Sequence, residues 1–249
     1  MNLYVDIGNS RIKWVFAEDG IPGEPQAWDY SPDNMITLLD DQWGKITRPD
    51  RILVANVAGD RVSADLNKVC DDIWSLVPEF IRVRKEACGV TNGYLEINQL
   101  GVDRWLSIIA GWVLYKTNIC IIGVGTAVTV DLVLASGQHQ GGYIIPGMNM
   151  MQHMLTRHTH GIDIECAIPP GIEPGQSTRA CVQNGSMLAL IAMIERVVSD
   201  FRQRFPDHSE CIITGGGATG IIPMLNTELK HEPDLVLRGI GMLSKGMKG

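Results

Sequence analysis

The chain has 249 residues, a formal net charge of −7, and 45% hydrophobic against 20% charged residues. That length holds one large domain or two of ordinary size, and the apolar share excludes a disordered chain. The negative balance argues against a surface that tracks a phosphate backbone. No nucleic-acid partner is expected, and a polyphosphate would have to be held locally, by backbone donors and a divalent cation.

In chain order, residues 1–14 (MNLYVDIGNSRIKW) predict a hairpin. Leu3, Val5 and Ile7 alternate with polar positions, Gly8-Asn9-Ser10 is turn chemistry, and Ile12, Trp14 and Phe16 resume the alternation. Asp6 stands at the lip of the turn and Lys13 on the returning strand. A glycine turn between two strands can bring N–H groups close to a phosphate, and Asp6 could hold a hydrated Mg²⁺. The same residues also read as an ordinary hairpin with a surface Asp.

Residues 20–32 form a Pro/Gly-rich loop with a short edge strand, and 33–43 a helix with Asp33 near its start. The apolar run 51–57 (RILVANV) suits a buried parallel strand. Val62, Leu66, Val69, Ile73 and Leu76 give 63–77 helical spacing, and 80–83 is a further strand, so this half shows the α/β alternation. Residues 90–105 (VTNGYLEINQLGVDRW) form a polar loop ahead of a helix running to about 116, and long loops in compact chains tend to be functional. The Asp103-Arg104 pair at its end reads equally as a helix-start charge with a local ion pair.

Residues 119–133 (ICIIGVGTAVTVDLV) echo the first hairpin. Aligning Gly8 with Gly125 sets Asn9 against Thr126 a little under half a chain apart, which suggests an internal duplication. Gly141-Gly142 then precede a strand over 143–145, and Pro146-Gly147 a Met-rich helix from 148 whose methionines are expected to fill core. His153, His158 and His160 lie close together but lack a carboxylate at metal spacing, so no metal site is expected there. Residues 168–175 form a loop, and Ser177-Thr178 cap a long helix to about 205. A strand over 210–214 runs into Gly215-Gly216-Gly217, which fits either close approach to a ligand or a plain tight turn. A last strand over 234–237 and a helix over 240–248 close the chain.

The six cysteines are scattered without a CxxC pair and read as small buried hydrophobes in a reducing compartment. The N-terminal apolar run breaks at Asp6 without a basic lead, and no apolar run reaches bilayer length. Neither a signal peptide nor a membrane partner is expected, and the expected location is cytoplasmic.

The order DxGN…K, GTAxTxD and a late TGGG resembles the actin-like ATPase and sugar-kinase superfamily. Asn92 to Tyr94 (NGY), Leu100 to Trp105 (LGVDRW), GTAVTVDL and Gly141 to Gly147 (GGYIIPG) narrow this, and with them nearly the whole chain is similar to type III pantothenate kinases. The resemblance implies an α/β fold of duplicated ribonuclease-H-like domains, 1–117 and 118–249, each a mixed sheet flanked by helices, with a cleft between them. It implies ATP-dependent phosphorylation of pantothenate, the first step toward coenzyme A, by a homodimer. Asp6, Ile7, Gly8, Asn9, Ser10, Arg11, Ile12 and Lys13 match the first phosphate motif and Thr126 the second. Asp103 matches the general base, and Tyr94, Gly101, Val102, Asp103, Arg104 and Thr178 match pantothenate contacts.

The chemistry agrees with that reading. Phosphoryl transfer is mostly positioning and charge neutralisation, for which Mg²⁺ at Asp6 and the Lys13 ammonium serve. Asp103 can take the alcohol proton, and Arg104 can hold a carboxylate through two parallel hydrogen bonds. Asp131 has two readings, Mg²⁺ through water or a structural role at a turn. One position departs from the family: the Asp that often precedes the xGTA turn, associated with K⁺ or NH₄⁺, is Gly123 here, so weak or absent dependence on a monovalent cation is expected. Two alternatives stand beside the kinase. Acetate, sugar or glycerol kinases share the scaffold but are usually longer and leave NGY and GVDR unexplained. A non-catalytic regulatory or accessory homologue is the other, which an Asp103→Asn change separates from the enzyme.

Overall fold

In the computed structural model, which describes residues 1–158 and 171–246, the N-terminal hairpin is β1 (Asn2–Ile7) and β2 (Arg11–Glu18), antiparallel, with Asp6 directly opposite Lys13. The loop after it supplies two short strands, β3 (Ile21–Pro22) and β4 (Gln26–Asp29), both antiparallel to β2. Then come α1 (Met35–Trp43), β5 (Ile52–Asn56), α2 (Asp60–Trp74) and β6 (Glu79–Phe80). β5 runs parallel to β1 and β6 parallel to β5. The expected strand over 80–83 is therefore only a stub. The loop ahead of the next helix holds a small hairpin, β7 (Glu86–Ala87) with β8 (Val90–Thr91), and a 3₁₀ turn at Ile97–Gln99 before α3 (Val102–Tyr115).

The second hairpin is β9 (Asn118–Val124) and β10 (Ala127–Val133). β11 (His139–Pro146), α4 (Met148–His158), α5 (Thr178–Arg204), β12 (Ser209–Thr214), α6 (Ala218–Ile221) and β13 (Lys230–His231) follow, and α7 (Leu235–Gly246) closes the described chain. The expected helices from 148 and 178 form, whereas the Gly141-Gly142 pair lies inside β11 rather than ahead of it. Residues 168–170 of the expected loop over 168–175, and both Cys166 and His160, lie outside the described residues.

Contacts divide the chain into two units. The first comprises Met1–Leu114, Gly137–His139 and the described residues from Asp234 on; the second comprises Tyr115–Ser136 and the described residues of Gln140–Pro233. Grouping by contact thus places α7 with the first unit, whereas the division at 117/118 leaves it in the second half. The first unit's sheet has strand order β3-β2-β1-β5-β6, with β4 also on β2, and the second unit's has β11-β10-β9-β12-β13. With β4 left out of the count, the two orders are the same when each strand is counted from its own hairpin. The echo between Gly8 and Gly125 is therefore matched by topology as well as by sequence.

In the first unit, period-2 alternation decides what reaches the site. Leu3, Val5, Ile7, Ile12 and Trp14 face α1 and α2, where Met35, Leu39, Trp43, Leu66, Val69 and Trp74 complete one core. Trp43 anchors it, edge-on to Trp14 at 5.8 Å and stacked on Trp74 at 5.3 Å. Each such fully buried large side chain contributes about 1.5–3 kcal/mol. The opposite face is also covered: Tyr4, Val15, Ala17, Leu53 and Ala55 pack with Val102 and Leu106 of α3 and Leu237 and Ile240 of α7. Tyr4 is fully buried, its hydroxyl 3.0 Å from the Ser244 Oγ, so β1 is not the half-solvated strand that its alternation predicts. Asp6 and Lys13 share this second face, at the end nearest the start of α3.

Two expectations need correction. Residues 234–237 are not a strand. α7 starts at Leu235, and Leu235, Leu237, Ile240 and Leu243 are buried. A short continuous apolar run does not separate a strand from a helix buried on most sides, and Gly239 and Gly241 weaken the helical signal. Second, α5 is by length and hydropathy long and apolar enough to cross a membrane, although no bilayer-length run was expected. Its stripe of Met187, Leu190, Ile191, Ile194, Val198 and Phe201 packs in the core beside the second sheet, with Cys120, Ile122, Val130 and Ile213.

Candidate active site

The first unit gathers Asp6, Lys13, Asp103 and Asp234. Asp6 and Lys13 come from adjacent strands, Asp103 from the first turn of α3, and Asp234 from the residue before α7, whose carbonyl accepts the Arg238 N–H at 3.0 Å. Lys13 Nζ lies 3.3 Å from the Asp234 Oδ1, an ion pair with both side chains mostly buried. The Asp6 carboxyl is raised from its ordinary 3.8 to about 7, by burial first and by the Asp103 charge second; Lys13 opposes the rise, and Asp234 adds a smaller push. Asp103 accepts the Arg104 N–H at 2.8 Å through Oδ1. Gly101 leaves room for that carboxylate, since a Cβ there would stand 2.6 Å from Oδ1.

The turn itself is held from behind. The Gly8 N–H donates to the Arg11 carbonyl at 2.9 Å, the Tyr30 hydroxyl donates to the Gly8 carbonyl at 2.7 Å, and the Tyr30 N–H donates to the Ser10 carbonyl at 3.1 Å. Asn9 and Ser10 face solvent, and Arg11 pairs with Asp29 at 3.3 Å. Ile7 and Ile12 are fully buried in the core, so of the expected nucleotide residues these two can offer only backbone.

The loop ahead of α3 holds Tyr94 against Arg104. Arg104 is 6% exposed, donates through Nη1 to the Tyr94 hydroxyl at 2.7 Å, and sits over the Tyr94 ring at 5.5 Å. Asn92 shapes the loop by accepting the Tyr94 N–H at 2.9 Å. Val102 is buried between the sheet and α7.

In the second unit, Gly125 and Thr126 form the exposed turn of the β9–β10 hairpin. Gly147, at the foot of α4, donates its N–H to the Thr126 carbonyl at 3.0 Å, and a Cβ there would come within 2.5 Å of the Gly125 carbonyl oxygen. Gly147→Ala is expected to lower stability by about 1–3 kcal/mol through this backbone clash, read as a lower denaturant midpoint. Gly123 lies in β9 opposite Thr129, whose Oγ1 would be 2.7 Å from a Cβ at 123. Asp131 is mid-strand in β10 and 3% exposed, so of its two readings the turn role is excluded. Thr178 is the first residue of α5 and exposed; the cap is Ser177 alone, accepting the Ala180 N–H at 3.2 Å. The Gly215-Gly217 loop turns back on its own sheet, with the Gly217 N–H on the Val124 carbonyl at 3.1 Å. Of the Met-rich helix, Met148 and Met151 pack on the core while Met150 and Met154 are exposed. The cysteines divide in the same way, with Cys70, Cys120 and Cys211 buried and Cys181 exposed.

The sequence profile of type III pantothenate kinase matches residues 2–200 of the chain. The chain belongs to the type III pantothenate kinase family. Over 98% of its length it is 36% identical to the type III pantothenate kinase of Nitrosococcus oceani, covering 94% of that protein, and over 96% it is 33% identical to that of Alcanivorax borkumensis, covering 97%. Among solved structures it is similar to a Campylobacter jejuni protein described as a Baf family transcriptional activator (TM-score 0.59, 17% identity, 99% and 98% of the two chains). It is also similar to the ethanolamine utilization protein EutJ of Carboxydothermus hydrogenoformans (TM-score 0.51, 12% identity, 97% and 88%). These likenesses show the fold, that of actin-like ATPases.

As a member of this kinase family the chain uses ATP. Two residues beside its site escaped the sequence reading. In the sequence Asp234 opens the expected strand over 234–237, and only a helical reading of 235–246 puts a carboxylate at a helix start. His139, 1% exposed and stacked on Tyr94, stands alone between glycines and carries no motif.

Proposed function

We propose that the chain performs its family's reaction, transfer of a phosphoryl group from ATP to the primary hydroxyl of pantothenate, through the residues of its first phosphate hairpin and the start of α3. Pantothenate phosphorylation in coenzyme A synthesis follows from family membership; the roles below are the proposal. One observation carries them: a carboxylate that can accept a proton, Asp103, and a guanidinium that can hold a carboxylate, Arg104, start one helix beside Asp6 and Lys13.

Arg104, already aimed by Tyr94, holds the pantothenate carboxylate through parallel N–H bonds. That contact sets the substrate hydroxyl within reach of Asp103. As the hydroxyl oxygen attacks the terminal phosphorus, its proton passes to the Asp103 carboxylate and ADP leaves. The backbone of the 8–10 turn and Lys13 offset phosphate charge, and Thr126 and Thr178 serve as second phosphate and pantothenate contacts.

The donor set fits Mg²⁺. Among the described residues no three His, Cys, Asp or Glu side chains form a metal cage, and Mg²⁺ takes one or two carboxylates, with water and phosphate oxygens for the rest. Asp6, whose ionised form is disfavoured by burial first and then by Asp103 and Asp234, stands to gain from a cation. Bound there, Mg²⁺ neutralises phosphate charge. Gly123 supplies no carboxylate, so turnover is expected to change less than about twofold when K⁺ or NH₄⁺ is added; a tenfold activation overturns that.

The chain acts as a homodimer in the cytoplasm. Tyr143 and Ile144 of β11, Met150, Met154 and Leu155 of α4 and Leu188 of α5 are large and exposed, and α4 packs on α5. Such apolar surface marks an interaction site. Met154→Glu is expected to shift the sedimentation of the protein from dimer to monomer. The deciding test is phosphopantothenate formation, measured by mass, from purified protein with pantothenate, ATP and Mg²⁺ and without added K⁺; no product with or without K⁺ overturns the proposal.

A further inference from the structure

We infer that His139 is a positioning residue for pantothenate, acting through Tyr94 on Arg104; this rests on the reading that Arg104 holds the substrate carboxylate. His139 lies at the start of β11, and it groups with the first unit. The backbone brings it there: the Thr91 N–H donates to the Gly137 carbonyl at 2.9 Å, and Thr91 and Gln138 pair as a parallel bridge. The short segment 137–139 is thereby strapped along the loop that carries Tyr94. The imidazole stacks on the Tyr94 ring, centroids 5.9 Å apart and planes 12° from parallel, and Nδ1 accepts the Gly93 N–H at 3.4 Å. Tyr94 in turn meets Arg104 through its hydroxyl and its ring.

Arg104 is a long side chain whose fork must be aligned before a carboxylate can take two parallel bonds. An arginine ordered in advance binds more tightly than one ordered by its ligand. The ring that orders it, Tyr94, sits on a loop with an exposed glycine on one side and an exposed Leu95 on the other. Within that loop the His139 contact fixes both ring plane and backbone. A stack and a hydrogen bond thus join His139, through Tyr94, to the guanidinium of Arg104.

Two substitutions divide the contact. His139→Phe keeps the stack and loses the Nδ1 acceptor; His139→Asn keeps an acceptor near the Nδ1 position and loses the ring. His139→Ala loses both and is expected to raise the KM for pantothenate on the order of tenfold, with kcat and the KM for ATP within about twofold. His139→Phe and His139→Asn should each recover part of it. A pantothenate analogue with an alcohol in place of the carboxylate should show no such penalty, because it makes no ion pair with Arg104. An unchanged pantothenate KM, a joint change in both KM values and kcat, or an equal penalty on the carboxylate-free analogue overturns the inference. If His139→Ala fails to fold, the Phe and Asn variants carry the test alone. Arg104→Gln is measured beside them. If it leaves the pantothenate KM unchanged, the reading of Arg104 itself fails; if it raises that KM while the His139 variants do not, only this inference fails.

Discussion

Asp103→Asn is expected to lower kcat for phosphopantothenate formation by about 10²–10⁴-fold while leaving the KM for pantothenate within a few-fold. The asparagine is nearly isosteric and can still accept the Arg104 N–H that Asp103 Oδ1 takes at 2.8 Å, so the start of α3 should survive. What disappears is the basic oxygen for the hydroxyl proton and one negative charge beside Asp6. A protein that only binds pantothenate and ATP would show equal affinity in both forms and no turnover in either. A variant that keeps more than a tenth of the wild-type rate would remove Asp103 from the role of base.

Most of the skeleton of this site can be read from the sequence, because the elements that carry it are short-range. The two hairpins announce themselves by alternation and glycine turns, and the Asp6–Lys13 pairing is a register consequence of the first. The start of α3 is marked by the end of a polar loop. What the sequence hides comes from tertiary placement. Tyr4 looks like the solvent side of an alternating strand until α3 and α7 cover it. The helix α7 looks like a strand because it is apolar on most sides, and misreading it hides Asp234, which meets Lys13 from 221 positions away. Ile7 and Ile12 belong to the phosphate motif by sequence but point into the core. His139 depends on a strap between segments that no local pattern joins. Asp131 has two readings in the sequence, Mg²⁺ through water or a structural role at a turn, and its place inside a strand removes the second.

Asp6→Asn should abolish most activity and yet yield a more stable apoprotein at neutral and alkaline pH. Asp6 has a folded-state pKa of about 7 against an ordinary 3.8. Between those values the folded chain binds more proton than the unfolded one, so stability falls as pH rises and the loss is complete above about 7. A shift of that size corresponds to at most about 4 kcal/mol, and partial contact of the carboxylate with solvent brings the expected gain for Asn to about 2–4 kcal/mol at pH 8. Near pH 4 the two proteins should unfold alike, since Asp6 is then protonated in the fold. Denaturant midpoints at both pH values, without Mg²⁺ or nucleotide, make the measurement. The same change should cost at least about 10²-fold in turnover, because the carboxylate that would hold the cation on the phosphates is gone. Adding Mg²⁺ and ATP should raise the midpoint of the wild type by mass action and move the variant far less. A variant less stable than wild type at pH 8 would mean that Asp6 is structurally satisfied as an anion. Its crowding by Asp103 and Asp234 would then not be the strain that substrate and cation relieve.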